Sequence, residues 1–157
     1  MAAASRGERA LVVFGLALLG GYVAMATRVE VAWLTALQDD DRYAVASGLV
    51  LAIYLLLQWT LGARRAIDPL RAVTRHKIAG ALAPLLLYAH ASRFAYGYLA
   101  VLAIAYLGTV GLGLVHRLVL RVRTRWLYTL WFVVHVATSA ALLVLVAYHV
   151  VIALGYE

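Results

Sequence analysis

Long apolar blocks broken by short polar interruptions organise this chain. Five segments stand out: about Ala10 to Thr27, Ala44 to Gly62, Pro69 to Phe94, Ala95 to Val115, and Thr124 to Ala153. Each approaches or exceeds the roughly 20 helical residues that cross about 30 Å of hydrocarbon. Asp68-Pro69 reads as a cap followed by proline in the first helical turn, so the third helix starts well before its apolar stretch. Thr124 is placed to cap the fifth. Pro84 falls inside the third segment, where it removes one backbone donor and kinks the helix. Trp33, Tyr96, Tyr98, Trp126, Tyr128 and Tyr156 sit where an aromatic belt is expected.

Composition narrows this to one class. The 157 residues are 66% hydrophobic and 13% charged, where an average soluble domain is about 25% charged. A water-soluble domain of this length cannot bury that much apolar surface. The expected fold is therefore all-α: a polytopic membrane bundle of five transmembrane helices forming one domain over residues 1–157. There are no cysteines, which excludes disulfides, thiolate zinc sites, iron–sulfur clusters and covalently attached c-type haem. There is no asparagine, so no N-glycosylation sequon exists.

The net charge of +7 changes meaning once the segments are drawn. Arg6, Arg9, Arg64, Arg65, Arg71, Arg75, Lys77, Arg117, Arg121, Arg123 and Arg125 fall on one side, and only Arg28, Arg42 and Arg93 on the other. Glu30 and Asp39-Asp40-Asp41 join the second group. A cytoplasmic N-terminus and an extracytoplasmic C-terminus satisfy the positive-inside rule at every loop. The charge is then a topology signal, and a nucleic-acid partner is not expected. Arg6, Arg9, the apolar stretch and Ala24-Met25-Ala26 also read as a signal peptide, whose removal would leave four spans in the same orientation. The expectation taken is an uncleaved first helix. Gly108-x-x-Gly111-x-Gly113 follows no strand and reads as close helix packing rather than a nucleotide loop.

The histidines carry the candidate chemistry. His76 and His90 lie in the third segment, His135 and His149 in the fifth, and both pairs are 14 residues apart. Fourteen residues make almost four whole turns, so each pair lies on one helix face with about 21 Å between its members. The two helices run in the same direction. His76 then faces His135 near the cytoplasm, and His90 faces His149 near the outer side. A haem needs two axial nitrogens on opposite faces of one iron, and this pattern supplies two such pairs stacked across the bilayer. Gly80 and Ala83 share the face of His76 and His90, while Thr138, Ser139 and Leu142 follow His135; small residues leave room for a flat macrocycle, and they also serve ordinary packing. The competing reading is four polar residues bonded to neighbouring helices, although ionisable groups inside membranes are by default functional candidates. A metal transporter or a proton relay would need carboxylates near the midplane, and all seven acids lie at span ends, in loops or at the termini. His116 stands beside Arg117 without a partner at this spacing and reads as interfacial. Arg75, Lys77 and Arg125 are candidates for the propionates of a cytoplasmic haem and Arg93 for those of an outer one; plain topology charges are the alternative.

His76-Lys77-Ile78-Ala79-Gly80 and Leu85-Leu86-Leu87-Tyr88-Ala89-His90-Ala91 resemble the first ligand helix of ferric reductase-like transmembrane domains. Trp131-Phe132-Val133-Val134-His135 and Ala147-Tyr148-His149-Val150 resemble the second. That family includes the membrane part of NADPH oxidases and the haem subunit of the periplasmic methionine sulfoxide reductase system. The resemblance covers roughly residues 44 to 154. It implies two b-type haems, bis-histidine ligation and electron transfer across the membrane. Cytochrome b of quinol-oxidising complexes uses the same histidine spacing. Two departures stand: family members commonly have six spans where five are counted here, and many carry a flavin and nicotinamide domain that these residues do not contain.

The expected function is a di-haem b-type cytochrome of a bacterial cytoplasmic membrane, working with other subunits of a redox complex. Its electrons would come from another polypeptide or a membrane quinol; no short motif marks a quinone site. The alternative is a non-redox subunit that scaffolds a larger complex. The acidic segment 28–43 is a candidate docking surface for a basic extracytoplasmic electron carrier, against a plain solvated loop.

Overall fold

The computed structural model describes residues 6–63, 69–94, 96–121 and 124–155, and they are entirely helical and connecting. Six helices follow in order: α1 Arg6–Arg28, α2 Ala32–Gln38, α3 Asp41–Ala63, α4 Pro69–His90, α5 Tyr98–Arg121 and α6 Arg125–Gly155. Five correspond to the expected segments, and α2 is additional. The Asp68 cap, Arg64, Arg65, Arg123 and Tyr156 lie outside the described residues, as do the side chains of Arg117 and Arg121.

Four helices, α1, α3, α5 and α6, are long and apolar enough to cross a membrane. Their outward faces carry large exposed apolar residues such as Val13, Ile53, Ile104 and Val144. Such a surface suits lipid contact and is the character of an integral membrane protein. α4 has 22 residues against 23 in α1, but carries Arg71, Arg75, His76 and Lys77 in its first turns, which keeps it out of that group.

α4 is nevertheless central. It packs against α1, α3 and α5, and α2 lies on its C-terminal end. The helices α3, α4, α5 and α6 close a ring in which each touches the next and α6 touches α3. The diagonal partners stay apart: no Cα of α4 lies within 8 Å of one in α6. α1 sits outside the ring, on α4 and α5.

Because apolar burial gives helices little reason to associate in lipid, close packing and hydrogen bonds must hold such a bundle. Tyrosines from three helices supply the bonds to α4. Tyr106 on α5 donates to the Ala83 carbonyl at 2.8 Å, and Tyr54 on α3 donates to that of Ala79. Tyr43 on α3 donates to Ala89 at 3.0 Å, and Tyr22 on α1 reaches Ala91 at 3.1 Å. α4 continues through Pro84, which is fully buried and directly follows Ala83, whose carbonyl Tyr106 bonds.

The boundaries moved where side chains intervene. α3 begins before Ala44 because Asp40 caps it, its carboxylate accepting the Tyr43 N–H at 2.9 Å. α4 ends at His90 rather than Phe94. Its last carbonyls, which lack partners in any helix, are taken by Gln38: Nε2 donates to Tyr88 at 2.9 Å and Ala89 at 3.0 Å. Gln38 Oε1 accepts from the Ser92 N–H and hydroxyl at 3.2 and 2.6 Å. The chain then turns through Gly97 at φ 62°, and α5 starts at Tyr98 rather than Ala95. The Thr124 carbonyl accepts the N–H groups of Leu127 and Tyr128 as α6 begins.

Candidate functional site: two facing histidine pairs

The four histidines meet in two pairs across the open diagonal of the ring. The ring centres of His76 and His135 are 6.4 Å apart, with planes at 76°. Those of His90 and His149 are 6.3 Å apart, with planes at 67°. The pairing agrees with the helical spacing, and the two separations are nearly equal at sites four turns apart. An imidazole nitrogen bonds a transition metal at about 2 Å, and lies roughly 1 Å from its ring centre, so two imidazoles opposed on one metal ion stand about 6 Å apart. Both pairs have that dimension although their helices have no backbone contact.

Each ring-bearing helix is backed by the helix before it in the chain. On α3, a Cβ at Gly48 would meet His90 Cε1 at 3.0 Å, and one at Gly62 would meet His76 Cε1 at 3.7 Å. On α5, a Cβ at Gly113 would meet His135 Cε1 at 3.5 Å. Three rings thus lie on glycine. Gly48 and Gly62 are themselves 14 residues apart, a third copy of the histidine interval. Gly111, by contrast, packs at 3.8 Å on Leu19 of α1, the close helix packing expected for that glycine run.

The ring nitrogens are partly spoken for. His76 Nδ1 lies 3.2 Å from the Gln58 carbonyl oxygen, which only accepts, so Nδ1 carries the proton and Nε2 keeps its lone pair. His90 Nδ1 lies 3.0 Å from Ser47 Oγ. The Ser47 hydroxyl is also 3.2 Å from the Ala44 carbonyl; with its one proton directed there it accepts from His90, and Nε2 is then the free nitrogen. His149 Nδ1 is 3.4 Å from the Tyr98 hydroxyl. His135 Nδ1 is buried, with no hydrogen-bond partner among the described residues. Trp131 stacks on the His135 ring at 5.7 Å and 6°, held by its indole N–H on the Leu112 carbonyl at 2.8 Å. The His116 ring centre is 5.9 Å from that of Trp131, with the planes tilted by 38°.

The small residues fall into different places. A Cβ at Gly80 would meet nothing within 4 Å, so the space beside the His76–His90 face is open there. Ser139 turns its hydroxyl back to the His135 carbonyl at 2.6 Å. Ala83 and Leu142 are buried, at 3% exposure each, with Leu51, Leu87 and Tyr106 in one apolar cluster. Leu142 is midway between His135 and His149 along α6.

A cavity of about 390 Å³ opens at the His90–His149 pair, within the range of small-molecule and cofactor sites. Gly48, Leu102, Tyr106 and Val146 are among its apolar walls, and Arg93 and Asp41 stand in its lining. Arg93 is tied to Glu30 at 3.4 Å and to Asp39 at 3.6 Å. Lys77 pairs with Glu8 on α1 at 3.4 Å. Arg75 and Arg125 are exposed.

No family model matches this chain, and no curated protein or solved structure is significantly similar to it.

Proposed function

We propose that the chain is a di-haem b-type cytochrome that carries electrons across a membrane, with His76 and His135 holding one haem b and His90 and His149 the other. The observation that carries the reading is the ring separation, 6.4 and 6.3 Å at two levels. Packing alone would not keep two helices apart by the width of a ligand while aiming two pairs of imidazoles at each other. The protonated Nδ1 atoms of His76 and His90 leave Nε2 free to bind a metal, as ligand histidines usually do. The glycines behind three of the rings and the open space at Gly80 give the rings and a flat group room.

Haem, when bound, supplies the one-electron carrier. The residues of this chain hold it, exclude water and set its surroundings. Leu142, Leu87, Ala83 and Tyr106 form a buried apolar cluster beside the sites. Arg93 stands at the outer cavity, where a propionate would compete with Glu30 and Asp39 for its guanidinium. Arg75, Lys77 and Arg125 lie toward the opposite end.

In this reading α4 is the fifth span. Its charged residues crowd one end, and Ile78 to Ala89 are uncharged, so the helix runs the same course as its neighbours. The N-terminus is then cytoplasmic and the C-terminus extracytoplasmic. The resemblance to ferric reductase-like domains belongs with this reading. So do a bacterial cytoplasmic membrane, a quinol or polypeptide donor, and partner subunits.

Reconstitution tests it. Vesicles containing the chain and an enclosed ferric acceptor are given an impermeant external reductant. The acceptor should be reduced, and His76→Leu or His149→Leu should abolish the transfer. Reduction no faster than in protein-free vesicles overturns the reading, and a non-redox scaffold then stands.

A further inference from the structure

The two α4 histidines use different kinds of acceptor. His76 donates to a backbone carbonyl, that of Gln58, which no side-chain substitution removes. His90 Nδ1 lies 3.0 Å from a side-chain oxygen, Ser47 Oγ, and the Ser47 hydroxyl has the Ala44 carbonyl 3.2 Å away, one turn back, to donate to. A hydroxyl that donates to that carbonyl turns a lone pair toward Nδ1. Across the site, the Tyr98 hydroxyl stands 3.4 Å from His149 Nδ1, beyond the usual distance for a strong bond.

We infer that Ser47 is a positioning residue that tunes the His90–His149 site alone, by holding the His90 ring in one orientation and making its Nε2 a stronger donor to whatever metal it binds. The inference rests on the haem reading above. An acceptor on Nδ1–H draws the proton away from the ring and raises the basicity of the other nitrogen. A more basic axial ligand favours the ferric over the ferrous state, so the bond lowers the reduction potential of that site. Its counterpart at His76 is anchored in the main chain. Ser47 is therefore the place where sequence can set one site against the other without touching a ligand.

The test is a potentiometric titration of the purified, haem-loaded chain, with Ser47→Ala and Ser47→Thr compared to the parent. Ser47→Ala should keep two haems per chain and shift one of two titration waves upward. A two- to tenfold change in the ferric/ferrous equilibrium is expected, about 20 to 60 mV for a one-electron couple. The other wave should stay in place, and Ser47→Thr, which keeps the hydroxyl, should restore the parent curve. Should the alanine variant lose pigment, Ser47→Cys replaces it, since sulfur is a weak acceptor of similar size; the same upward shift is expected. Two haems with both waves unmoved, or both moved alike, overturns the inference and leaves the ligand assignment intact. A parent chain that binds no haem overturns the assignment itself.

Discussion

Gly48 lies so close to His90 that a Cβ at this position would stand 3.0 Å from Cε1 of the ring. The ring must yield by a few tenths of an ångström to admit even alanine. Gly48→Ala should cost about 1 kcal/mol, the low end of overpacking a well-filled site, and loosen the ligand it supports. Gly62→Ala, with 3.7 Å to the His76 ring, should be tolerated. Thermal stability and retained haem, measured side by side on the two variants, check this. Equal behaviour would mean that the His90 ring is free to move.

Gln38 makes four hydrogen bonds to the chain around His90. Gln38→Ala leaves the Tyr88 carbonyl and the Ser92 N–H without that partner at the end of α4. The expected loss is about 1–3 kcal/mol of stability, the usual cost of stranding buried polar groups. Haem at the outer pair should leave first on heating, and a melt followed in the haem band checks it.

The planes of the paired rings are steeply crossed, at 76° and 67°. Crossed imidazole planes leave the iron orbitals that point at them nearly equal in energy, which makes a low-spin ferric signal strongly anisotropic. Electron paramagnetic resonance of the oxidised chain should show two such signals. An ordinary rhombic spectrum would mean that the rings turn toward parallel when they ligate.

The three aspartates play unequal parts. Asp40 caps α3, Asp39 pairs with Arg93, and Asp41 opens the helix, where a carboxylate suits the dipole. Asp40→Ala should cost about 1 kcal/mol, and breaking the exposed Arg93 pair under about 1 kcal/mol. Charge reversal at Asp39 and Asp41, with Asp40 kept, is the clean test of carrier docking: slower reduction of a basic carrier supports it, and an unchanged rate discards it.

The spacing of the histidines was legible because a helix converts sequence interval into facing direction with little loss. Fourteen residues on α4 and on α6 predict the pairs His76–His135 and His90–His149, and the structure brings those rings together. The segments were legible for the same reason, since apolar length is a local property. What surrounds the rings was not. Ser47, the Gln58 carbonyl, Tyr98 and Gly113 reach the histidines only through the order in which helices pack, and no local pattern records that order. Gly48 and Gly62 did leave a trace in their 14-residue interval. α2 was hidden by its seven residues, too few for a periodic signal, and Gln38 with it. The place of α4 at the centre of the bundle ran against its polarity: the tyrosines that bond its carbonyls are scattered over α1, α3 and α5.

The measurement closest to the central claim is the haem content of the purified, folded chain, by pyridine haemochrome against protein mass. The account predicts two b-type haems per chain in the parent, and one in each of His76→Leu, His135→Leu, His90→Leu and His149→Leu. It also predicts that His76→Leu and His135→Leu spare the same haem, and that His90→Leu and His149→Leu spare the other. A folded parent chain without haem, or a haem content indifferent to these histidines, would contradict it.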